Sequence, residues 1–369
     1  MESERKTVVL VTSSDWNEAP RLRHQMAKKL LEWYRLVWIQ VPTSNSPEKK
    51  TLTHPTPNLT VLQLAKRSRL IELLWDNIPV FHRYFNRFLL KEIRSSLERL
   101  DFENINLITF QINFVEVLDL RQNGFSIYVC NDPFPSYRRK YHKRLFESYE
   151  AQIAKKVDVS LAVSDPLVQQ LKNYSPNVKL FLPGHDIKIS GEYEQTTSKE
   201  VVLTYMGFID KRINYDWIKS FLREYPQIKM RFIGPIKSVN EVAELKEFSN
   251  VEFVPSVTGQ MLFKELSKSN VLLLPFKGDN ITVQYMSAPN KLFQYLVTGR
   301  PIVSCKIPAL VELPNKCVYQ SEDYSQFATN ILKAIDEDNA DLGKMRIEVA
   351  MKNSWANRGK ELRSIIDNI

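Results

Sequence analysis

YMSAPNKLFQYLVTGRPIVSC, residues 285–305, carries two periodicities in one short run. Leu292, Phe293 and Leu296 recur at the spacing of one helix face, whereas PIVSC from Pro301 is an apolar run of strand length. Gly299 and Pro301 mark a tight turn between the two. Ser287, Ala288 and Pro289 are expected to open the helix, since proline is tolerated in a first helical turn. A helix that feeds at once into a buried strand is half of a β-α-β unit, and repeated units of that kind imply a parallel sheet covered by helices.

The same alternation runs outward in both directions. Upstream, TVVLVT from Thr7, LVWIQV from Leu36, LTVLQL from Leu59, NLITF from Asn106, SIYVC from Ser126 and VSLAV from Val159 form one series of strands. Leu22, Met26, Leu30 and Trp33 place a helix between its first two members. VVLTYM from Val201, IKMRFI from Ile228, NVEFV from Asn250, NVLLLPF from Asn270 and PIVSC form a second series. Between the series, IKISGEYEQTTSKE from Ile187 is polar without apolar period and reads as a linker. The expected fold is α/β, two doubly wound domains facing a cleft: residues 1–186, a linker at 187–200, a second domain at 201–352 and a closing helix at 353–369.

The 369 residues, 43% apolar and 25% charged, fit two globular domains at roughly 150 residues each. No apolar run approaches the roughly 18 to 20 residues of a membrane span. The N-terminus lacks the pattern of a signal peptide, so a cytoplasmic location is expected. Cys130, Cys305 and Cys317 have no C-x-x-C spacing, which argues against a disulfide framework or a zinc site. Neither G-x-G-x-x-G nor G-x-x-x-x-G-K-[ST] is present, nor are H-E-x-x-H and G-x-S-x-G, so dehydrogenase, P-loop NTPase, zincin and α/β-hydrolase readings lack support. The one D-x-D, Asp336 and Asp338, reads as a solvated helix face; no metal or other cofactor is expected.

In the opening stretch Lys291 and Gln294 fall near the N-terminal end of the expected helix. Exposed main-chain N–H groups there suit a diphosphate, Lys291 adds a charge, and Gln294 can hydrogen-bond ribose hydroxyls. The alternative is an ordinary helix with a solvated lysine. Net charge is +9, of which residues 1–186 carry +7. The excess concentrates in Lys66, Arg67, Arg69, Arg83, Arg87, Lys91, Arg94 and Arg99, interleaved with Trp75, Phe81, Tyr84, Phe85 and Phe88, and in YRRKYHKR from Tyr137 to Arg144. Basic residues with aromatics suit an anionic bilayer surface or single-stranded nucleic acid, and a plain solvated surface is the third reading.

The pattern P-x-K-x-x-Q-Y-L-x-x-G-x-P-I-V resembles the donor segment of GT-B glycosyltransferases, in which the second domain holds a nucleotide-sugar. The likeness continues at YMGFIDKRINYDWI from Tyr205, FIGP from Phe232, LPGHD from Leu182, NSWANRGKEL from Asn353 and ESYEAQIAKKVDVSLAVSDPL from Glu147. SSDWNEAPRLRHQ is similar to the start of teichuronic-acid and capsule-type members. Where many retaining members carry E-x7-E, Met286 and Gln294 stand here; K-L-x-Q-Y is instead similar to the xanthan-type glucuronosyltransferase, an inverting member.

The resemblance implies a metal-independent, inverting hexosyl or glycuronosyl transferase that uses a UDP-linked sugar. Donor contacts would come from Gly207, where backbone approaches phosphate, from Arg212 with Lys211 as rival, from Val257 in VPSVTG facing uracil, and from Ser287, Lys291 and Gln294. The base that takes the acceptor proton would be Asp132, after SIYVC, which is equally read as a turn-forming aspartate before Pro133; Asp15, after the first strand, is the other candidate. Phe134 and Tyr137 are expected to lower the polarity around Asp132. Trp16, Arg21 and His24 would meet the acceptor, a polysaccharide or glycolipid precursor at the inner membrane face, and His185 would shape the hinge or touch donor phosphate. Nucleic acid is not expected as a partner. A nucleotide-sugar epimerase of similar fold and a non-catalytic binder are the rival functions.

Overall fold

The structure, a computed structural model, describes residues 5–18, 20–98, 104–121, 123–187 and 200–369. Arg99 and residues 188–199 of the expected linker lie outside the described residues. The chain forms two compact units, Met1–Phe181 with Gly359–Ile369, and Leu182–Arg358.

The first unit is built on eight strands: β1 Thr7–Thr12, β2 Arg35–Gln40, β3 Thr51–Thr56, β4 Leu59–Gln63, β5 Ile105–Thr109, β6 Ser126–Cys130, β7 Val159–Ala162 and β8 Val178–Leu180. They lie in the order β3-β4-β2-β1-β5-β6-β7-β8. All pairings are parallel except that of β3 with β4. β1 pairs with both β2 and β5, Val9 opposite Val37 and Leu107, and is buried along its whole length. Helices on both faces cause that burial, which is why the strands read as unbroken apolar runs. On one face the helix Pro79–Glu98 seats Phe85, Leu89 and Ile93 against Val9, Val37, Ile39 and Leu107. Strand order reverses between β1 and β5, so their carboxyl ends flank a switch point.

Two polar devices close the β6–β7 side, one half-exposed and one buried. Asp158 accepts from the Ser126 backbone N–H at 2.7 Å and pairs with Arg121 at 2.7 Å. Glu150, fully buried, accepts from the Tyr128 hydroxyl at 3.0 Å and the Gln170 amide at 2.5 Å. Burial pushes the Glu150 carboxyl up, although the donors around it oppose the rise. The last part of the helix Trp355–Asp367 belongs to this unit, with Arg363 over the Trp33 ring at 5.6 Å and Gly359 against Lys29.

The second unit has six parallel strands: β9 Val202–Met206, β10 Lys229–Ile233, β11 Val251–Val254, β12 Val271–Leu274, β13 Ile302–Cys305 and β14 Val318–Ser321. Their order is β11-β10-β9-β12-β13-β14, so the switch point falls between β9 and β12. His185 ties the start of the unit to its end, its Nε2 donating to the Ala350 carbonyl at 2.9 Å and its own carbonyl accepting from Trp355 at 2.8 Å. Asp338 is not solvated: it pairs at 2.6 Å with Arg346, whose side chain is fully buried. Among the described residues no group of three or more His, Cys, Asp or Glu could hold a metal ion.

Three strands have no counterpart in the sequence reading. β3, TLTHPT, is an exposed edge strand containing Pro55, β8 has three residues, and β14 alternates half-buried and buried positions.

The raised Glu150 carboxyl sets a pH dependence. Between the unfolded pKa and the higher folded one the native state holds more protons, so stability falls as pH rises through that window. Glu150→Gln should remove this slope, because Gln170 can turn its amide to accept from the new one. Urea unfolding from pH 4 to 8 should show the wild type losing stability relative to the variant; parallel curves would refute the assignment.

Candidate functional site

The ends of β9 and β10 are built for close approach. Gly207 and Gly234 follow them at φ +128° and +136°, a region that excludes ordinary side chains. A Cβ on Gly234 would run into the carbonyl of Gly207, and one on Gly207 into the Lys291 side chain. Lys291 therefore lies across the end of β9, at the switch point. Its Nζ sits 5.1 Å from the Tyr205 ring centre and 5.3 Å from that of Phe276, which follows β12. Burial pushes the ammonium down to about 8, Arg212 adds to the fall, and Asp210 opposes it.

Tyr295 fixes the spacing of the two strand ends. Buried, it accepts from the Met206 N–H at 2.7 Å and donates to the Leu273 carbonyl at 3.3 Å. The helix that carries it runs only over Leu292–Leu296, with Lys291 at its N-cap. Ser287, Ala288 and Pro289 do not open it, contrary to expectation. Ser287 is buried, and its carbonyl accepts from Val311 at 2.8 Å, which holds the preceding segment in a non-helical path. Five residues carry little macrodipole, so the charge at this point is that of Lys291.

Arg212 comes near Lys291 but is engaged. Its Nε and Nη2 donate to the Asp210 carboxylate at 3.0 and 2.7 Å. Burial would raise Asp210, yet these bonds hold its carboxyl below the usual range. Lys211 is exposed. Gln294 is half-buried and makes no hydrogen bond among the described residues. Val257 is half-buried beyond the end of β11, two strands from β9 in the sheet. The structure thus brings Gly207, Arg212 and Lys291 together, with Gln294 three residues on, and leaves Ser287 sealed beneath.

In the first unit Asp132 follows β6. Its carboxylate accepts from the Tyr137 hydroxyl at 3.0 Å and the Asn131 amide at 2.6 Å. Tyr137 is 44% exposed, so it supplies a donor rather than the apolar cover expected of it. Asp15 shapes a turn, accepting from the Asn17 N–H at 2.8 Å and the Gln63 amide at 3.1 Å. Trp16, His24 and Trp38 form one ring cluster, with centroids 4.8 to 6.0 Å apart.

His24 is 2% exposed and structural. Its Nε2 must donate to the Asp15 carbonyl at 2.9 Å, which leaves Nδ1 to accept from the Arg21 N–H at 3.2 Å and cap the helix Leu22–Leu30. Burial lowers its pKa, in keeping with that neutral tautomer. Arg21 is exposed and paired with Glu18 at 3.0 Å.

Sequence reasoning missed Arg23, 8% exposed, whose Nη1 donates to Thr12 Oγ1 at 3.0 Å beside the Phe110 ring. The signal was there: Arg23, Ala27 and Leu30 share the helix face that Met26 also borders, so a charge occupies a core position. It also missed the aromatic cradle of Lys291, although Tyr205 and Phe276 stand near the ends of apolar runs.

Residues 199–337 match the family model for glycosyl transferases group 1. With two doubly wound units and this second-unit match, the chain has the GT-B fold, and its second unit carries a stretch of the glycosyl transferases group 1 type. Along its full length it is similar to TuaH of Bacillus subtilis (strain 168), named for glycosyl transfer in teichuronic acid biosynthesis, at 20% identity over 396 residues and 96% of each chain. Among solved structures it is similar to sucrose-phosphate synthase from Thermosynechococcus elongatus, with TM-score 0.73, 14% identity and 99% of both chains covered. It is likewise similar to Anabaena HepE in complex with UDP, with TM-score 0.67, 11% identity, 99% of this chain and 100% of that one covered.

Proposed function

We propose that the protein transfers a sugar from a UDP-linked donor, held by the second unit, to a polysaccharide or glycolipid precursor taken by the first, with inversion and without a metal. The observation that carries this reading is Lys291: a half-buried cation across a glycine-ended strand at a switch point, with no carboxylate ion-paired to it among the described residues. A diphosphate would supply the missing charge, and Arg212 would join it by exchanging Asp210 for a phosphate oxygen. The UDP complex of a protein with the same fold agrees with that ligand class. In the transfer the acceptor oxygen bonds the anomeric carbon as its bond to the diphosphate breaks; the electron pair leaves on UDP and the hydroxyl proton goes to Asp132.

The setting we propose is the cytoplasmic face of an anionic membrane. No described helix is long and apolar enough to cross one. The helices Arg69–Asn77 and Pro79–Glu98 expose Leu70, Leu73, Val80, Tyr84 and Phe88, with Ile78 exposed between them, while Arg69, Arg83, Arg87 and Lys91 are exposed beside them. Apolar side chains flanked by arginines suit a headgroup layer better than open water. Trp75 and Phe85 are core, and Arg67 is spent on Glu92 at 2.8 Å, so they take no part. Tyr137 and Tyr141, exposed among Arg138, Arg139, Lys140, Lys143 and Arg144, form a second basic stretch of the same kind.

Binding of UDP should be linked to the Lys291 proton. Free Lys291 loses it near pH 8, whereas a bound diphosphate raises its pKa, so binding takes up a proton above pH 8 and weakens as pH rises further, by up to about tenfold per unit. Lys291→Gln should weaken binding by about 1.5–3 kcal/mol and abolish that pH dependence. Calorimetry between pH 7 and 9.5 reads both, and unchanged affinity in the variant would end the donor-site assignment.

Asp132→Asn should lower single-turnover transfer by about 10²- to 10⁴-fold while UDP affinity stays as in the wild type. Product configuration read by NMR completes the test: a retained anomer excludes this base mechanism.

The wild type should float with anionic vesicles at low salt and far less with neutral ones or at high salt. Replacing Leu73 and Val80 with aspartate should abolish flotation with UDP binding intact; equal recovery in every condition would mean a plain surface.

A further inference from the structure

The first unit carries a buried cation that nothing above employs. Arg23 projects from the helix Leu22–Leu30 to Thr12, the last residue of β1, and lies over Phe110, just past β5; its guanidinium carbon is 5.2 Å from that ring centre. Those strands flank the switch point of the first sheet, where ligands of doubly wound sheets bind. Of the five N–H donors of a guanidinium, one is used, on Thr12 Oγ1, and Nε is buried without a partner. Glu18 and Asp132 are near enough to be felt, but neither forms an ion pair with it among the described residues, and Glu18 is committed to Arg21. Burial pushes this arginine down to about 10, well below its ordinary value.

A charge held largely out of water with its Nε buried and unpartnered is costly unless something completes it. Stacking on Phe110 offsets part of the cost, but the π-face satisfies no N–H. The missing group is planar or tetrahedral, accepts several hydrogen bonds and is negative. We propose that Arg23 forms an oxyanion subsite in the first unit, which holds the phosphate or carboxylate of an anionic acceptor sugar. The assignment to an acceptor rests on the transferase reading above; the anion site itself does not. Arg21, one turn face away, is exposed and neutralised by Glu18, so Arg23 and not Arg21 makes the discriminating contact.

The test is binding to the full chain, without turnover. Inorganic phosphate and glucose 1-phosphate probe the phosphate arm, glucuronate probes the carboxylate arm, and glucose is the neutral control. The wild type should bind one of the two classes with millimolar affinity or better and the control at least tenfold more weakly. The ¹⁵N resonance of Arg23 Nε should shift on saturation, a readout that needs no substitution. Arg23→Lys keeps the charge but loses the fork and should weaken binding at least tenfold; Arg23→Gln should abolish it, with UDP affinity unchanged in both. Wild-type protein that binds neither class overturns the proposal, as does anion binding that survives in a folded Arg23→Gln or leaves the Nε resonance unmoved. Anion binding at Arg23 in a protein that fails to bind UDP or transfer sugar would retain the subsite and refute the transferase reading.

Discussion

The Lys291 ammonium, held against aromatic faces instead of a carboxylate, is the constraint on which the second unit depends. Room for it exists only because position 207 has no side chain, and Gly207 reaches its position only because Gly234 has none either. Tyr295 then holds the β9 and β12 ends at the separation that lets Tyr205 and Phe276 flank the cation. An ion pair here would lower the cost of burial but occupy the charge. The aromatic cradle does the opposite, since ring quadrupoles attract a cation without neutralising it. Burial, with Arg212 beside it, holds the ammonium down to about 8, a fall that a bound anion would oppose.

The sheets were legible because burial on both faces leaves a signature that needs no alternation. β1, β5, β6 and β12 are buried at every residue and stood out as unbroken apolar runs. β3 was not legible because it is the reverse: an exposed edge strand with a proline, held by its pairing with β4 rather than by its own composition. The short helix Leu292–Leu296 was placed too early for a related reason. Pro289 permits a helix start, but Ser287, buried and bonded through its carbonyl to Val311, anchors the segment elsewhere, and that tertiary contact leaves no trace in local sequence.

Site residues divide along the same line. Gly207 and Lys291 could be named from sequence since each is tied to a strand end or helix start. What the side chains do with one another could not. Arg212 meets Asp210 two residues away, a local pairing visible only once the loop closes. His24, read as a ligand-facing imidazole, is turned inward by two backbone partners that both precede it in sequence, Asp15 and Arg21. Arg23 was passed over because a charge on an apolar helix face reads as an interruption of the pattern, whereas here it is the pattern's function to bury it.

The two units solve one electrostatic problem twice. In each, the more exposed arginine is consumed by a carboxylate within three residues of it: Arg212 by Asp210, Arg21 by Glu18. In each, a cation sits on an aromatic ring at the switch point with no ion pair among the described residues: half-buried Lys291 beside Tyr205 and Phe276, buried Arg23 over Phe110. Exposed pairs of this kind contribute about 0–1 kcal/mol, so exchanging their carboxylate for a ligand oxygen gains little. A buried, unneutralised cation gains far more from an incoming anion, because the desolvation cost has already been met in folding and the low local dielectric strengthens the new contact. On the proposed reading, selection for charged ligands would rest with Lys291 and Arg23, while the outer arginines hold Asp210 and Glu18 as their own partners.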